Sequence, residues 1–288
     1  MNDAETATQP DPGAIVRRHR LSTRLWHALN AVTLLVMLMS GLMIFNAHPR
    51  LYWGEYGANF DPAWFQIGSG ARAGQPFGFV QLTDTRIDTT GWLGLWKDPE
   101  GVVQRRAFPY WITLPSSYSL AAARIWHLAF ALVLAFALAA YLLVSLVNGH
   151  VRRDIHVTRR EWAPRAIWHD VRDHARLRFP TGAAALRYSV LQKLAYAGVL
   201  FGLLPAMIAT GLAMSPGTDA WAPVLSEVFG GRQSARSVHF LCAAGLVGFF
   251  LVHMAMVLLS GPINQLRAIV TGRFRLPGGR TARVEENQ

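Results

Sequence analysis

The sequence has 288 residues, 52% of them hydrophobic, with a mean hydropathy of +0.22 and a net charge of +11. Several apolar runs exceed about eighteen residues, the length of a helix that can cross a bilayer, which excludes a soluble globular protein. The basic residues flank these runs, so they indicate the lipid bilayer as their partner and no nucleic acid. One cysteine, Cys242, excludes an intrachain disulfide, a covalently attached c-type haem and a cysteine-ligated iron–sulfur cluster.

The apolar runs predict four membrane spans, at about 25–45, 120–147, 188–214 and 238–260. The fold class that follows is all-α integral membrane, with a four-helix transmembrane bundle over residues 21–272. Pro205 lies inside the third span and predicts a kink there. Residues 1–20 are polar and lack the apolar core of a cleaved signal, so we expect a disordered cytoplasmic tail there and a second tail at 273–288.

The distribution of arginine predicts the orientation of the chain. The segment between the second and third spans contains nine arginines, and basic clusters also precede the first span and follow the fourth. Segment 46–119 instead balances six basic residues with six acidic ones. We therefore expect both termini and the second loop in the cytoplasm, with segments 46–119 and 215–236 outside, and we expect the chain in a bacterial inner membrane.

Two connecting segments carry further signals. Residues 164–179 place apolar side chains at helical spacing with arginines on the other face, which predicts a cytoplasmic amphipathic helix at the membrane interface. Segment 46–119 is too long for a simple turn and is rich in aromatic residues, which predicts a long external loop. Its aromatic side chains either form an interfacial belt and pack internally, or dock a partner; the sequence leaves both open.

Four histidines lie inside the predicted spans and sort into two layers by depth: His27 with His253 on the inner side, and His127 with His239 on the outer side. His239 and His253 are fourteen residues apart on one helix, about 21 Å along its axis and on roughly one face. Imidazoles inside a membrane are costly and indicate function. Two pairs at two levels suit two bis-imidazole haems b, with these histidines as axial ligands of the inner and outer iron.

Arginines precede three of these histidines by three residues, in Arg24-Leu-Trp-His27, Arg124-Ile-Trp-His127 and Arg236-Ser-Val-His239. That spacing places arginine and histidine on one helical face, with the arginine nearer the aqueous interface. Haem propionates are carboxylates, which arginine binds in bidentate fashion, so all three arginines are candidate propionate partners. The alternative, ordinary positive charge at the end of a span, applies to Arg24 more readily than to the two arginines on the outer side.

Gly41 lies fourteen residues after His27 and so occupies the same face of the first span at the outer level. A glycine there would let a porphyrin approach the helix closely, although glycine in membrane helices also serves helix packing. Each histidine taken alone could equally be a packed, hydrogen-bonded residue. A shared zinc site is disfavoured, because zinc requires four ligands within a few ångströms.

Three stretches carry a resemblance: His48-Pro-Arg-Leu-Tyr-Trp-Gly54, Leu191-Gln-Lys-Leu-Ala-Tyr196 and Gly230-Gly-Arg-Gln-Ser-Ala-Arg-Ser-Val-His239. With four spans and histidines on the first, second and fourth, residues 17–272 resemble the bacterial cytochrome b561/nickel-hydrogenase cytochrome b family. That family includes the membrane subunits of formate dehydrogenase and thiosulfate reductase, and the three stretches are most similar to the thiosulfate reductase branch. The long external segment departs from the short loop of hydrogenase-type members.

The resemblance implies an electron-transfer subunit of an oxidoreductase complex. An extracytoplasmic enzyme, often a molybdopterin enzyme in this branch, would exchange electrons with the outer haem, and quinone chemistry would occur near the inner haem. Asn148 and Gly149 stand where formate-dehydrogenase-like members place a quinone pocket, although Asn-Gly is also a common helix stop.

Two other functions remain possible on the sequence alone. One is a transmembrane haem electron shuttle that works without an enzyme partner. The other is a non-redox transporter of metal or solute, whose usual signs are acidic residues in mid-span or broken helices in paired halves. The sequence shows no nucleophile triad, phosphate-binding loop or acidic metal cluster, so we expect the cofactor rather than the protein to carry the chemistry.

Overall fold

The structure is a computed structural model that describes residues 13–277, and its largest elements are four long apolar helices. They are Leu21–Ala47, Leu120–Val147, Ala184–Ala213 and Arg232–Leu259. By length and composition each can cross a membrane, as the sequence predicted. The fourth begins six residues earlier than expected, so Arg236 lies inside the helix rather than ahead of it.

Within the third span, two α-helices flank a wider turn. An α-helix at Val190–Ala197 is followed by a π-helical turn at Gly198–Leu203 and then by a second α-helix at Leu204–Ala213. The interruption ends just before Pro205. Proline has no N–H to offer the carbonyl of the preceding turn and its ring crowds that carbonyl, so a widened turn replaces regular α-helical hydrogen bonding there.

The remaining helical elements are short and lie between or after the spans, except that Gly182–Leu186 overlaps the start of the third span. They are Tyr110–Ile112, Val151–Ile155, Pro164–Ala175, Gly182–Leu186, Pro216–Asp219, Val224–Val228 and Pro262–Thr271. Of these, Pro164–Ala175 falls within the predicted amphipathic helix. It stops before Phe179 because Leu177 has a positive φ of 53°, and the left-handed conformation ends a helix.

The described chain divides into two compact units, each containing one end of every span. The first, here called the terminal unit, consists of Met1–Ala28, Ala139–Phe201 and Val247–Gln288. The second, here called the sheet unit, consists of Leu29–Leu138 and Gly202–Leu246. His27 and His253 belong to the terminal unit, and His127 and His239 belong to the sheet unit.

The sheet unit contains β-structure that the sequence did not predict, so the all-α expectation is wrong for the segment after the first span. A four-stranded antiparallel sheet has its strands in chain order, at Arg50–Leu51, Phe65–Arg72, Gln75–Leu82 and Thr85–Asp88. A smaller ribbon pairs Trp96–Lys97 with Val103–Gln104. One of its two-residue turns is Ala73-Gly74, where both residues have positive φ, 51° and 78°. That type of turn is usually indicated by the sequence Asn-Gly, and with alanine in place of asparagine the sequence does not predict it.

Aromatic packing joins this sheet to the ends of the first and fourth spans. The buried core contains Phe45, Leu51, Ile67 and Ala107, and Phe65 and Phe240 pack against it. Other aromatic side chains of the same segment are largely exposed: Trp53, Tyr56, Phe60, Trp92 and Trp111. Internal packing therefore accounts for part of the aromatic content and leaves an exposed aromatic set.

In the terminal unit, the described parts of the two predicted tails pair with each other. Ile15–Arg17 and Arg273–Arg275 form an antiparallel ribbon, and Phe274 is buried with Ala268 beneath it. The disorder predicted up to residue 20 is therefore wrong for this strand, because backbone pairing and the burial of an aromatic ring order it. Residues 1–12 and 278–288 of those tails lie outside the described residues.

Candidate functional site

In the sheet unit, the imidazoles of His127 and His239 face each other with ring centroids 6.2 Å apart and planes at 60°. They come from the second and fourth spans, as the depth argument predicted. Two imidazoles on one metal ion, with metal–nitrogen bonds of about 2 Å, have their centroids about 6 Å apart. The pair therefore fits one bis-imidazole iron site.

Each of these rings has hydrogen-bond partners on a helix that contributes no ligand to this pair. His127 Nδ1 lies 3.1 Å from the carbonyl oxygen of Met37 and 3.1 Å from the hydroxyl of Ser40. His239 Nδ1 lies 2.9 Å from the hydroxyl of Thr210. Both hydroxyl-bearing residues are fully buried. The sequence analysis missed them, although Met37-x-x-Ser-Gly41 and Met207-x-x-Thr-Gly211 repeat one pattern on the first and third spans.

Glycine follows each hydroxyl residue and lies against the same histidine. A Cβ atom on Gly41 would be 3.3 Å from Cε1 of His127, which is closer than nearly all real Cβ contacts. A Cβ on Gly211 would be 3.6 Å from Cε1 of His239, an ordinary contact. Gly41 was predicted to make room for haem. That role stays a prediction; the structure places Gly41 against a candidate ligand, and Gly211 is the equivalent position that the sequence reasoning did not identify.

In the terminal unit, His27 and His253 form the second pair, with ring centroids 6.3 Å apart and planes at 51°. The ring of Phe249 stacks on His253 at 5.8 Å, and Tyr196 of the third span meets Phe249 edge-on at 6.4 Å. Within residues 13–277, neither imidazole of this pair has a hydrogen-bond partner. The centroid separation of this pair fits an iron site just as well as that of the first pair does. Its supporting contacts, however, are aromatic rather than polar.

The three predicted propionate arginines have different surroundings. Arg24 donates to the carbonyls of Ile269 and Val270 at the end of Pro262–Thr271, which is the usual place for a cation at a helix C-terminus. Arg236 donates to the carbonyl of His48 at 2.5 Å. Arg124 is exposed. The propionate role stays a prediction for all three, and two of the guanidinium groups already have backbone partners.

Arg18 is a cation that sequence reasoning treated only as part of the basic tail. Its guanidinium lies 4.4 Å from the ring centroid of Phe274 and donates to Gln265 at 3.5 Å. Its Nε is buried and has no partner among the described residues. Burial lowers the pKa of Arg18, an effect partly offset by Tyr188 and Tyr196. The terminal unit thus holds a half-buried positive charge with a free donor.

Asn148 and Gly149 end the second span. The Asn148 side-chain oxygen accepts a hydrogen bond of 2.9 Å from the backbone N–H of His150, and Gly149 has a φ of 69°. These are features of a helix stop, which was the alternative to the quinone role. The next residue continues a polar chain, since His150 Nδ1 lies 2.7 Å from Asp154.

A metal-handling protein would need a different constellation. Within residues 13–277, no group of three or more His, Cys, Asp or Glu side chains could hold a metal ion. The four histidines inside the spans occur as two separate pairs instead, which is the arrangement that a planar cofactor between two axial ligands requires.

Comparisons with known proteins agree with this chemistry. The sequence model of the family prokaryotic cytochrome b561 matches residues 18–272. A relative from Azospira oryzae (strain ATCC BAA-33 / DSM 13638 / PS), named "Putative protein-methionine-sulfoxide reductase subunit YedZ1", is 30% identical over 134 residues. That match covers 46% of this chain and 64% of the relative, so the chain spans less than two thirds of it. No solved structure matches the chain.

The family match covers most of the chain, and the chain belongs to the prokaryotic cytochrome b561 family. It is a membrane haem b protein of the electron-transfer type.

Proposed function

We propose that this member of the prokaryotic cytochrome b561 family is a di-haem subunit that passes electrons between the quinone pool and an oxidoreductase outside the cytoplasm. One observation carries the proposal: two pairs of facing imidazoles, with centroid separations of 6.2 and 6.3 Å, lie in two separate units of the chain. One continuous helix, Arg232–Leu259, supplies a histidine to each pair.

In this proposal His127 and His239 hold the outer haem, and His27 and His253 hold the inner haem. Haem supplies reversible one-electron chemistry at its iron when bound. The chain's own residues position the rings, exclude water from them and provide cations at the interfaces. Arg18, with its buried unpaired Nε, joins Arg24, Arg124 and Arg236 as a candidate partner for a haem propionate.

The orientation follows from charge. The basic clusters before the first span, between the second and third spans and after the fourth lie at the cytoplasmic side with both termini, and the charge-balanced segment 46–119 lies at the outer side. The helix Pro164–Ala175, whose Trp168 is exposed, then rests on the anionic cytoplasmic leaflet of a bacterial inner membrane. Quinone binds in the same proposal near Asn148 and Gly149, at the cytoplasmic end of the second span.

The partner is an oxidoreductase, of molybdopterin type in the branch that the sequence resembles, that docks on the outer side. Exposed aromatic side chains of the sheet unit, including Phe60 at 101% exposure and Tyr56 at 85%, support a docking role for that segment. The name of the Azospira oryzae relative, which describes a reductase subunit, supports a partner enzyme as well.

The test is a haem count combined with selective loss. Purified protein should contain two haems b per chain and show a b-type reduced-minus-oxidised spectrum when a quinol is added. Replacing His127 or His239 with alanine should remove one haem and leave the other reducible, and replacing His27 or His253 should remove the other. A purified chain without haem contradicts the proposal. Loss of the same haem in all four variants contradicts the assignment of the pairs.

A stand-alone electron shuttle is the second candidate. It has the same haem content, so co-purification decides between the two functions. Recovery of a stoichiometric second subunit with the tagged native protein supports the complex, and full quinol-dependent electron transfer by the isolated chain to a soluble acceptor supports the shuttle. A non-redox metal or solute transporter is the least supported function, because the four histidines inside the spans form two pairs, and no group of three or more His, Cys, Asp or Glu side chains within residues 13–277 could hold a metal ion.

A further inference from the structure

Two buried hydroxyl groups in the sheet unit can only accept a hydrogen bond from the nearby histidines, because each already donates its proton to a backbone carbonyl. Ser40 donates its proton to the carbonyl of Val36 at 2.7 Å, and Thr210 donates its proton to the carbonyl of Ala206 at 2.6 Å. A hydroxyl has a single proton to donate. Each oxygen can therefore only accept from the nearby imidazole, so Nδ1 of each histidine carries the proton.

That assignment leaves the other ring nitrogen, Nε2, with its lone pair free. A neutral imidazole that donates through one nitrogen binds metal through the other, and the acceptor fixes both the tautomer and the ring orientation. For His127 the acceptors are the Ser40 hydroxyl and the Met37 carbonyl; for His239 they are the Thr210 hydroxyl and the Met207 carbonyl. The tautomer and the orientation of both rings are thus fixed in the same way, by equivalent residues of the first and third spans.

The pair in the terminal unit differs. Neither His27 nor His253 has a hydrogen-bond partner within the described residues, and His253 is held by stacking on Phe249. An imidazole that donates a hydrogen bond is a more basic ligand, and a more basic axial ligand stabilises oxidised iron. The hydroxyl groups therefore act on one of the two proposed haems and not on the other.

We propose that Ser40 and Thr210 are positioning residues that fix the Nδ1–H tautomer of His127 and His239 and lower the midpoint potential of the haem those histidines hold. The inference rests on the proposed function and concerns how one of its two sites is tuned. The span without a histidine thereby gains a role at the haem site, through Thr210.

The test is a redox titration of purified holoprotein with paired variants. Ser40→Ala and Thr210→Val remove the hydroxyl acceptor and leave the backbone carbonyls of Met37 and Met207 beside the rings, while Ser40→Thr and Thr210→Ser keep the hydroxyl and change the packing. Thr33→Val is the matched control, since Thr33 is a buried hydroxyl on the first span whose oxygen has no partner among the described residues. Potentials are read from the haem absorbance, and the ferric low-spin resonance spectrum reports the ligand field.

We expect the potential of the haem held by His127 and His239 to rise in Ser40→Ala and Thr210→Val, and to rise further in the double variant. The other haem, and both haems in Ser40→Thr, Thr210→Ser and Thr33→Val, should keep their potentials. If the hydroxyl-free variants lose one haem while the hydroxyl-retaining variants keep it, the result also supports the inference.

Unchanged potentials in a double variant that retains two haems would overturn the inference and leave the proposed function standing. Equal shifts in the hydroxyl-free and hydroxyl-retaining variants would also overturn it, because packing would then be the cause. A parent protein without haem would instead contradict the proposed function, and the inference with it.

Discussion

The indole nitrogen of Trp64 donates a hydrogen bond of 2.9 Å to the hydroxyl of Ser237, two residues before His239 on the fourth span. Ser237 is fully buried and in turn donates to the carbonyl of Tyr52 at 2.6 Å. One turn earlier, the hydroxyl of Ser234 accepts from the N–H of Gly54 at 2.7 Å. The segment after the first span is therefore fastened to the helix that carries a candidate haem ligand.

Replacing Ser237 with alanine should weaken this attachment. The change leaves a partly buried indole N–H without its acceptor and the buried Tyr52 carbonyl without this donor, and a fully buried group left unpaired costs about 1–3 kcal/mol. Thermal unfolding of the detergent-solubilised protein, followed by tryptophan fluorescence, measures the loss. The control is Ser260→Ala, because the Ser260 hydroxyl makes only long contacts near the helix end: it donates to the Val257 carbonyl at 3.5 Å and accepts from the Gln265 side-chain amide at 3.2 Å. Equal unfolding temperatures for the two variants would contradict the prediction.

The two glycines beside the histidines should differ in their tolerance of a methyl group. Gly41→Ala places Cβ 3.3 Å from Cε1 of His127, so the ring or the helix must shift by a few tenths of an ångström. Gly211→Ala makes an ordinary contact of 3.6 Å with His239. We expect reduced occupancy or an altered spectrum of one haem in Gly41→Ala, with Gly211→Ala close to the parent. Haem content per chain decides, and the reverse order would show that the helix contacts differ from those described.

Arg236 and Arg124 should contribute unequally to stability. Arg236 is partly buried, donates to the His48 carbonyl and lies 5.8 Å from the ring centroid of Phe45. A hydrogen bond to a charged group contributes about 1.5–3 kcal/mol, whereas exposed substitutions usually stay within about 0.5 kcal/mol. Arg236→Gln should therefore destabilise the protein and Arg124→Gln should not. The measurement is chemical or thermal unfolding.

The predicted propionate role of these arginines is testable in the same two variants. Loss of a cation beside a propionate should lower the potential of the haem held by His127 and His239. Oxidised iron carries one positive charge more than reduced iron, so removing a nearby cation stabilises the oxidised form. If neither variant changes that potential in a redox titration, the propionate role is contradicted for both arginines. The hydrogen bond to the His48 carbonyl would then be the role of Arg236, and Arg124 would have no assigned role.

The Glu161–Lys193 ion pair predicts a dependence of stability on pH. Their side chains are 2.7 Å apart, and Thr158 donates to the same carboxylate through its N–H and hydroxyl. Burial alone would raise the pKa of Glu161, but the hydrogen bonds from Lys193 and Thr158 outweigh it and lower the pKa below its usual value. The stabilisation is thus present above the ordinary glutamate pKa of about 4.3 and is lost as pH falls through the lower folded-state value.

Glu161→Gln should remove that part of the acid sensitivity. The carboxylate is partly exposed, so the effect is small, below about 1 kcal/mol. Unfolding temperatures between pH 3 and pH 6 should converge for the parent and the variant at the acid end. Glu100→Gln is the control, because Glu100 is exposed. A parent–variant difference that grows toward low pH would contradict the sign.

The sequence alone located the spans and the paired histidines. Long apolar runs decide where a chain crosses a bilayer, and fourteen residues in a helix return to the same face, so neither inference needed tertiary information. It did not find the sheet after the first span. The turns there, Ala73-Gly74 and Thr83-Asp84, place alanine and threonine at positive φ of 51° and 50°, where Asn or Gly would have been the signal.

The roles of the residues around the histidines depended on the tertiary structure. Arginine three residues before histidine has the same local pattern at Arg24, Arg124 and Arg236, yet one guanidinium binds helix-end carbonyls, one is exposed and one binds the His48 carbonyl. Local spacing fixes which side chains share a face of one helix. It does not fix which neighbouring helix that face meets. The sequence by itself determined that His127 and His239 lie at one depth, and only the packing of the spans decided that Ser40 and Thr210 hold them.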